Sequence, residues 1–405
     1  MPAPAPAADL RPQIRILFGT VFIAMIGFGI VMPILPFYAR AFGASAVEMG
    51  LLVTGWAGAQ FIAAPVWGVL ADRVGRKPVL VAGLAGYGIT FVGMALAPTY
   101  AALLAARVVG GLLSSSVLPS GQAIAADLTR PEDRGAVMGL MGAAFGLGFV
   151  VGPAIGGLAA LLGPEVPFYA AAAASGLAVP LVARWVREPA VDARQKRAAR
   201  LGLGGIPASL RSPQRPLYLM SLAATAGGSS LFSMLGYYAI DRVGADPATV
   251  GLLFTAVGLG SVLTQVLLVG PATRRWGEAR AIEVGFVGSA LGFVGIALAA
   301  SVPGIVAALG LGAVAQALLR PSLVALNSRT TRLGYGTSLG VQTAFDSLGR
   351  TLGPLWAGAL YGLDPRAPFV GAAVIYLAGA AGGGRLPGRR PEAAPEAIRG
   401  PTSER

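Results

Sequence analysis

The chain has 405 residues, 55% hydrophobic and 12% charged, with 59 Gly, 30 Pro, no Cys, no His and a net charge of +13. An ordinary soluble domain is about 25% charged. This composition excludes a disordered chain and a disulfide-stapled secreted domain. The lack of His and Cys removes zinc sites, thiol catalysis, Ser-His-Asp triads and haem or iron–sulfur ligation by those side chains.

What remains is a polytopic membrane protein. A helix needs roughly 20 apolar residues to cross about 30 Å of hydrocarbon. Twelve runs meet that need with little internal charge: 16–39, 47–71, 79–97, 101–125, 136–161, 166–184, 216–240, 248–270, 281–300, 303–326, 336–361 and 367–382, the last short and Gly-rich. Residues 1–13, with Pro-Ala repeats, Arg11 and no cleavage-site pattern, read as a disordered cytoplasmic tail, as do residues 383–405. With the N-terminus inside, only Arg40, Arg242 and Arg366 of the 31 Lys and Arg fall in external loops. Arg107, Arg320 and Arg350 lie within spans, and the rest gather on the inner side. This asymmetry puts both termini in the cytoplasm and explains the basic charge without nucleic acid.

The longest hydrophilic connection, 186–214, separates two helical units, 14–185 and 215–382, of six spans each. The units are related. At an offset of 202 Gly68 meets Gly270, Arg73 meets Arg275, Gly75 meets Gly277 and Pro119 meets Pro321; at 201 Gly152-Pro153 meets Gly353-Pro354. A parallel internal repeat of this kind builds a transporter whose halves rock about a site at mid-membrane. The expected fold is all-α and membrane-integral, twelve helices in two pseudo-symmetric six-helix bundles.

Two motifs stand out. After span 2 come Gly68, Asp72, Arg73, Gly75, Arg76 and Lys77. Gly68 permits close helix approach, Gly75 a tight turn, and Asp72 an anionic cap on a neighbouring helix N-terminus. In span 5 stand Gly139, Gly148, Gly152, Pro153, Gly156 and Gly157, small residues for close packing around a proline bend. The first pattern resembles the loop 2–3 signature of the major facilitator superfamily, and the second the antiporter motif of its exporters. The end of span 1, from Gly27 and Gly29 to Pro33 and Pro36, is similar to the 12-span drug:proton antiporter branch, which includes tetracycline and multidrug efflux pumps. The resemblance implies a major facilitator fold, a conformational latch at residues 68–77, export rather than import, and a monomer in a bacterial inner membrane. One departure matters: Phe22–Ile26 lacks the acidic residue that relatives of this type place in span 1.

That leaves Asp346 as the carboxylate near mid-membrane, roughly 15 Å into span 11, with Arg350 one turn on. An ionisable group there marks a functional site by default. Asp346, Arg350 and Arg107 are therefore the candidates for proton coupling; a static Asp346–Arg350 pair and a snorkelling Arg107 are the structural alternatives. A substrate cavity is expected among Phe28, Trp56, Gln60, Gln122, Phe145, Tyr237, Tyr238, Gln265, Gln316, Gln342 and Phe345. Few fixed polar groups among aromatics suit amphipathic molecules. The expected activity is proton-driven export of such molecules. No enzyme constellation, metal, cofactor or nucleotide-binding loop is expected. A facilitator or metabolite exporter without proton coupling, and a non-transporting receptor, are the alternatives.

Overall fold

The structure, a computed structural model, describes residues 10–130, 132–188, 212–331 and 335–383. The expected disordered tails, most of the central linker and the loop at 332–334 lie outside the described residues. Within them run twelve helical segments: α1 (Leu10–Ala41), α2 (Ala46–Val74), α3 (Arg76–Ala95), α4 (Tyr100–Asp127), α5 (Arg134–Ala159), α6 (Val166–Trp185), α7 (Arg215–Val243), α8 (Pro247–Leu267), α9 (Val269–Leu298), α10 (Val302–Thr330), α11 (Tyr335–Tyr361) and α12 (Ala367–Gly382). Ten are long and apolar enough to cross a membrane by length and composition. The other two are α11, which carries Asp346 and Arg350, and α12, which has 16 residues.

Local chemistry sets the ends. Ser45 caps α2 in a capping box with Glu48, and Thr99, Asp246 and Ser301 cap α4, α8 and α10. The three serines Ser114–Ser116 interrupt α4, which turns at Ser115 and resumes at Val117. The largest boundary difference from the sequence reading falls between spans 8 and 9. Span 8 stops at Leu267, and residues 269–276 form a separate helical piece that joins α9 through a kink at Gly277. Gly277 (φ 76°) and its repeat partner Gly75 (φ 107°) both take left-handed backbone, which an L side chain resists.

The repeat is visible in the packing. α1 packs on α5 as α7 packs on α11; α3 packs on α4 and α6 as α9 packs on α10 and α12. The halves meet through two related contacts, α2 with α11 and α5 with α8. Gly157 lies against Pro247 and Ala248 at the start of α8, and Gly358, 201 residues on, against Ala46 and Val47 at the start of α2.

These contacts concentrate at one end of the molecule, the end that holds Ser45. There Gly236 abuts Pro36, Gly50 abuts Pro354, Thr54 Oγ1 donates to Thr351 O at 2.8 Å, and Tyr237 OH donates to Ala44 O at 2.9 Å. At the opposite end, which holds Asp72, two ion pairs each stay within a half. Arg76 pairs with Asp127 in the first half. Glu278 pairs with Arg329 at 2.8 Å in the second. These pairs occupy the same repeat positions, 202 residues apart, with the signs exchanged. The two halves therefore form a V, closed at the Ser45 end.

Candidate functional site

Asp346 sits in the middle of α11 and is 4% exposed. Its ion-pair partner is Arg320 of α10, whose Nε lies 4.0 Å from Oδ2, rather than Arg350. Arg350 turns one helical turn back and donates to Ser347 Oγ at 2.9 Å. The expected Asp346–Arg350 pair is thus corrected to an inter-helix pair, and the exposed guanidinium of Arg320 is the freer of the two cations. The sequence places Arg320 inside span 10, next to Pro321, but spacing along one helix cannot reveal a partner on another.

Arg107 does not join this group. It lies between α4 and α2 in the other half, 3% exposed, and neither snorkels nor meets a carboxylate of the described residues within ion-pair distance. Its Nε donates to Leu52 O at 3.2 Å, and its guanidinium lies 5.5 Å from the Trp56 ring centroid. Nη2 has no hydrogen-bond partner among the described residues. A buried arginine held this way retains an unsatisfied donor at substantial cost.

An aromatic band crosses between the halves at this depth. Trp56 lies 5.0 Å from Phe28, Phe28 6.2 Å from Phe149, Phe149 5.6 Å from Phe232 edge to face, and Phe232 5.9 Å from Phe254. Beside it is a small cavity of about 70 Å³ lined by Phe149, Phe232, Ser261, Phe293 and Gln316 among others. Of the candidate cavity residues, Phe28, Trp56 and Gln316 fall in this band or cavity. Gln60 and Gln122 are half-buried, whereas Phe145 and Gln265 are exposed. Four others make contacts elsewhere. Tyr237 belongs to the closed end; Tyr238 is fully buried in the second half, bonded to Ile296 O at 2.9 Å. Phe345 stacks on Tyr218, and Gln342 is bonded to Asn327. Phe149 and Phe232, which the sequence reading passed over, hold the centre of the band.

The glycine motif of α5 divides by face. Gly148, Gly152 and Gly156, one helical turn apart, admit the backbone of α1 at Phe22, Ile26, Gly29 and Ile30. Gly157 faces α8, and Gly139 faces open space. At the Asp72 end, Arg76 also donates to Ala123 O at 3.0 Å. The helix N-terminus that Asp72 was expected to cap is not the one at Arg76. Glu188, just after α6, accepts from the backbone N–H of Arg76 at 2.7 Å and of Lys77 at 2.8 Å. Asp72 makes no hydrogen bond or ion pair among the described residues, and Gly68 faces open space.

Comparison with known proteins agrees with this architecture. The Major Facilitator Superfamily model matches residues 17–240 and again residues 217–403, once per half. The class C tetracycline resistance protein of Escherichia coli is 34% identical over 372 residues, covering 85% of this chain and 89% of that protein. Multidrug resistance protein 2 of Bacillus subtilis is 26% identical over 370 residues, covering 90% and 92%. Among solved structures, the nucleoside transporter NupG superposes with a TM-score of 0.77 at 14% identity, over 92% of this chain and 98% of that one. The chain is a multi-pass membrane transporter and a member of the Major Facilitator Superfamily.

Proposed function

We propose that this chain exports drug-like or amphipathic small molecules by alternating access, driven by protons that Asp346 binds and releases. The observation that carries the reading is the position of Asp346. It is a carboxylate at mid-depth, on the second half, within reach of an exposed arginine of another helix. A V closed at the Ser45 end makes that depth the floor of a cavity open at the Asp72 end. With both termini cytoplasmic, as the distribution of Lys and Arg favours, this is the inward-facing state of an exporter. Residues 68–77, with Asp72 unengaged, are then a latch released in this state and engaged in the other. The units are residues 14–185 and 215–382, and the membrane is a bacterial inner membrane. The named relatives act in multidrug and tetracycline resistance, which supports an amphipathic substrate. The aromatic band, poor in fixed polar groups, suits the same class.

A facilitator without proton coupling is the second reading, favoured by the apolar stretch Phe22–Ile26 in α1. One experiment separates the two. Efflux of a panel including tetracycline and ethidium is measured from pump-deficient cells carrying wild type or Asp346→Asn, with and without a protonophore. Proton-driven export requires that the wild type lower accumulation and that both treatments abolish the effect. Efflux indifferent to both establishes the facilitator. A panel that does not move at all overturns the substrate class.

A further inference from the structure

A further cavity lies outside the cleft between the halves. It is a groove of about 240 Å³ between α1 and α6, lined by Arg15, Gly19 and Ile23 of α1 and by Ala178 and Leu181 of α6 among others. Arg15, Gly19 and Ile23 are four residues apart and form one stripe along their helix. The groove is open in front of Gly19, where an added Cβ would meet nothing within 4 Å. Beyond Arg15 its wall is apolar, because Thr20, the one hydroxyl in it, donates to Ile16 O of its own helix at 2.8 Å. α6 packs on α1 and α3 of its own half, and its Leu177 and Leu181 are exposed. The groove therefore opens toward the surrounding lipid.

Its charge sits at one end, the Asp72 end, where α1 begins and α6 stops. The Arg187 N–H donates to Gln13 Oε1 at 3.0 Å, which holds the end of α6 against the start of α1. Arg184 follows Leu181 by one turn, with its guanidinium 6.0 Å from the exposed ring of Trp185. Among the described residues, Arg15, Arg184 and Arg187 meet no carboxylate within ion-pair distance. The neighbouring Glu188 is engaged by the start of α3. An apolar trough open to lipid, with unpaired guanidinium groups and a tryptophan at one end, matches a phospholipid of net negative charge. Its phosphate fits Arg15, and the stripe from Arg15 to Ile23 accommodates roughly 12 Å of an acyl chain. A zwitterionic headgroup adds a cation that the arginines repel.

The second half supplies an internal comparison. Gly152 meets Gly29 and the Ile26 carbonyl, and Gly353 meets Ser229 and the Ala226 carbonyl, so α1 and α7 correspond at an offset of 200. On that register Arg15 corresponds to Arg215 and Gly19 to Leu219, a side chain 39% exposed. The second half keeps the arginine and fills the place of the glycine.

We propose that the α1–α6 groove binds an anionic phospholipid of the leaflet at the Asp72 end, with its phosphate on Arg15 and one acyl chain along Gly19 and Ile23. The test uses the purified full chain in detergent, equilibrated with equal amounts of phosphatidylglycerol and phosphatidylcholine of the same acyl chains. Retained lipid is counted by native mass spectrometry for wild type, Arg15→Gln, Gly19→Leu and Arg215→Gln. All four are expected to melt alike without added lipid, because the two arginines are exposed and Gly19 faces open space. The wild type should retain phosphatidylglycerol over phosphatidylcholine. Arg15→Gln should lower phosphatidylglycerol retention about fivefold and leave phosphatidylcholine unchanged. Gly19→Leu, which copies the second half and keeps every charge, should lower phosphatidylglycerol retention as well, and Arg215→Gln should not. Equal losses in Arg215→Gln and Arg15→Gln show a general basic belt and overturn the groove as a site. Full retention in Gly19→Leu overturns it too. Displacement of the lipid by an equal concentration of inorganic phosphate shows an anion site alone and overturns the phospholipid as its occupant.

Discussion

Arg40, in the last turn of α1, donates to Asp241 of α7 at 2.7 Å, and so joins the two halves at their closed end. Asp241 also accepts from Tyr361 OH of α11 at 2.6 Å, and the Arg40 guanidinium lies 4.4 Å from the Tyr237 ring centroid. The pair is about one-third exposed on each side, so its own contribution is about 1 kcal/mol or less. Its leverage comes from its place at the closed end, where the tyrosines organise it.

Asp241→Asn is therefore expected to open that end more often without unfolding the protein. The chain has no cysteine, so a single Ala44→Cys, at a position 8% exposed beneath Tyr237, reports opening cleanly. The labelling rate by a water-soluble maleimide should rise up to about fivefold in the Asp241→Asn background, as a shift of about 1 kcal/mol between two states requires. An unchanged rate shows that other contacts hold the mouth shut.

The fixed glycines of α5 should differ in their tolerance. A side chain at Gly152 meets Gly29 and the carbonyl of Ile26, whereas one at Gly139 meets nothing. Gly152→Val is expected to cost about 1–3 kcal/mol or more through forced separation of α1 and α5. Gly139→Val should stay within about 0.5 kcal/mol. Thermal unfolding in detergent of the two variants side by side checks the difference.

These glycines also show what a sequence can disclose. The twelve helices were legible because hydropathy is a property of contiguous residues, and the repeat because Gly75 and Gly277 keep one spacing in both halves. That α5 packs closely on a neighbour was legible as small residues one turn apart, but not that the neighbour is α1. Partnerships across helices were not legible. Nothing in the spacing of α11 distinguishes Arg350, one turn away, from Arg320, on another helix. Glu188 lies over a hundred residues from the N–H groups it caps. Tyr237 and Tyr238 are adjacent, and only the fold sends one to the mouth and the other into a core.

Stability should depend on pH through Asp246. Its carboxylate accepts from the backbone N–H of Thr249 at 2.7 Å, and the side-chain and backbone hydrogen bonds from Thr249 hold its pKa below the ordinary aspartate value. A depressed folded-state pKa adds stability that is present above the unfolded value and lost as pH falls through the folded one. The melting temperature should thus fall on acidification across the carboxylate range. Asp246→Asn keeps a capping side chain and should flatten this part of the profile. Asp246→Ala should lose about 1 kcal/mol at neutral pH.

Glu188 and Asp72 should separate in the same way. Glu188→Ala removes the acceptor for two N–H groups at the start of α3 and is expected to cost about 1–2 kcal/mol in thermal unfolding. Asp72→Asn, at a residue with no partner among the described residues, should leave the melting temperature unchanged.

The sign-exchanged pairs, Arg76 with Asp127 and Glu278 with Arg329, bear on how the chain is made. Its related halves leave the ribosome one after the other, each with a loop able to imitate its sibling's. Had the pairs kept one polarity, the earlier loop could dock on the later helices as readily as on its own. As built, a crossed arrangement sets Arg76 against Arg329 and Glu278 against Asp127, and like charges repel. A Glu278→Arg, Arg329→Asp double variant, which restores both pairs with matching signs, should insert with a larger misassembled fraction in a limited-proteolysis assay. The inversion favours each half's own pairing over pairing with its twin.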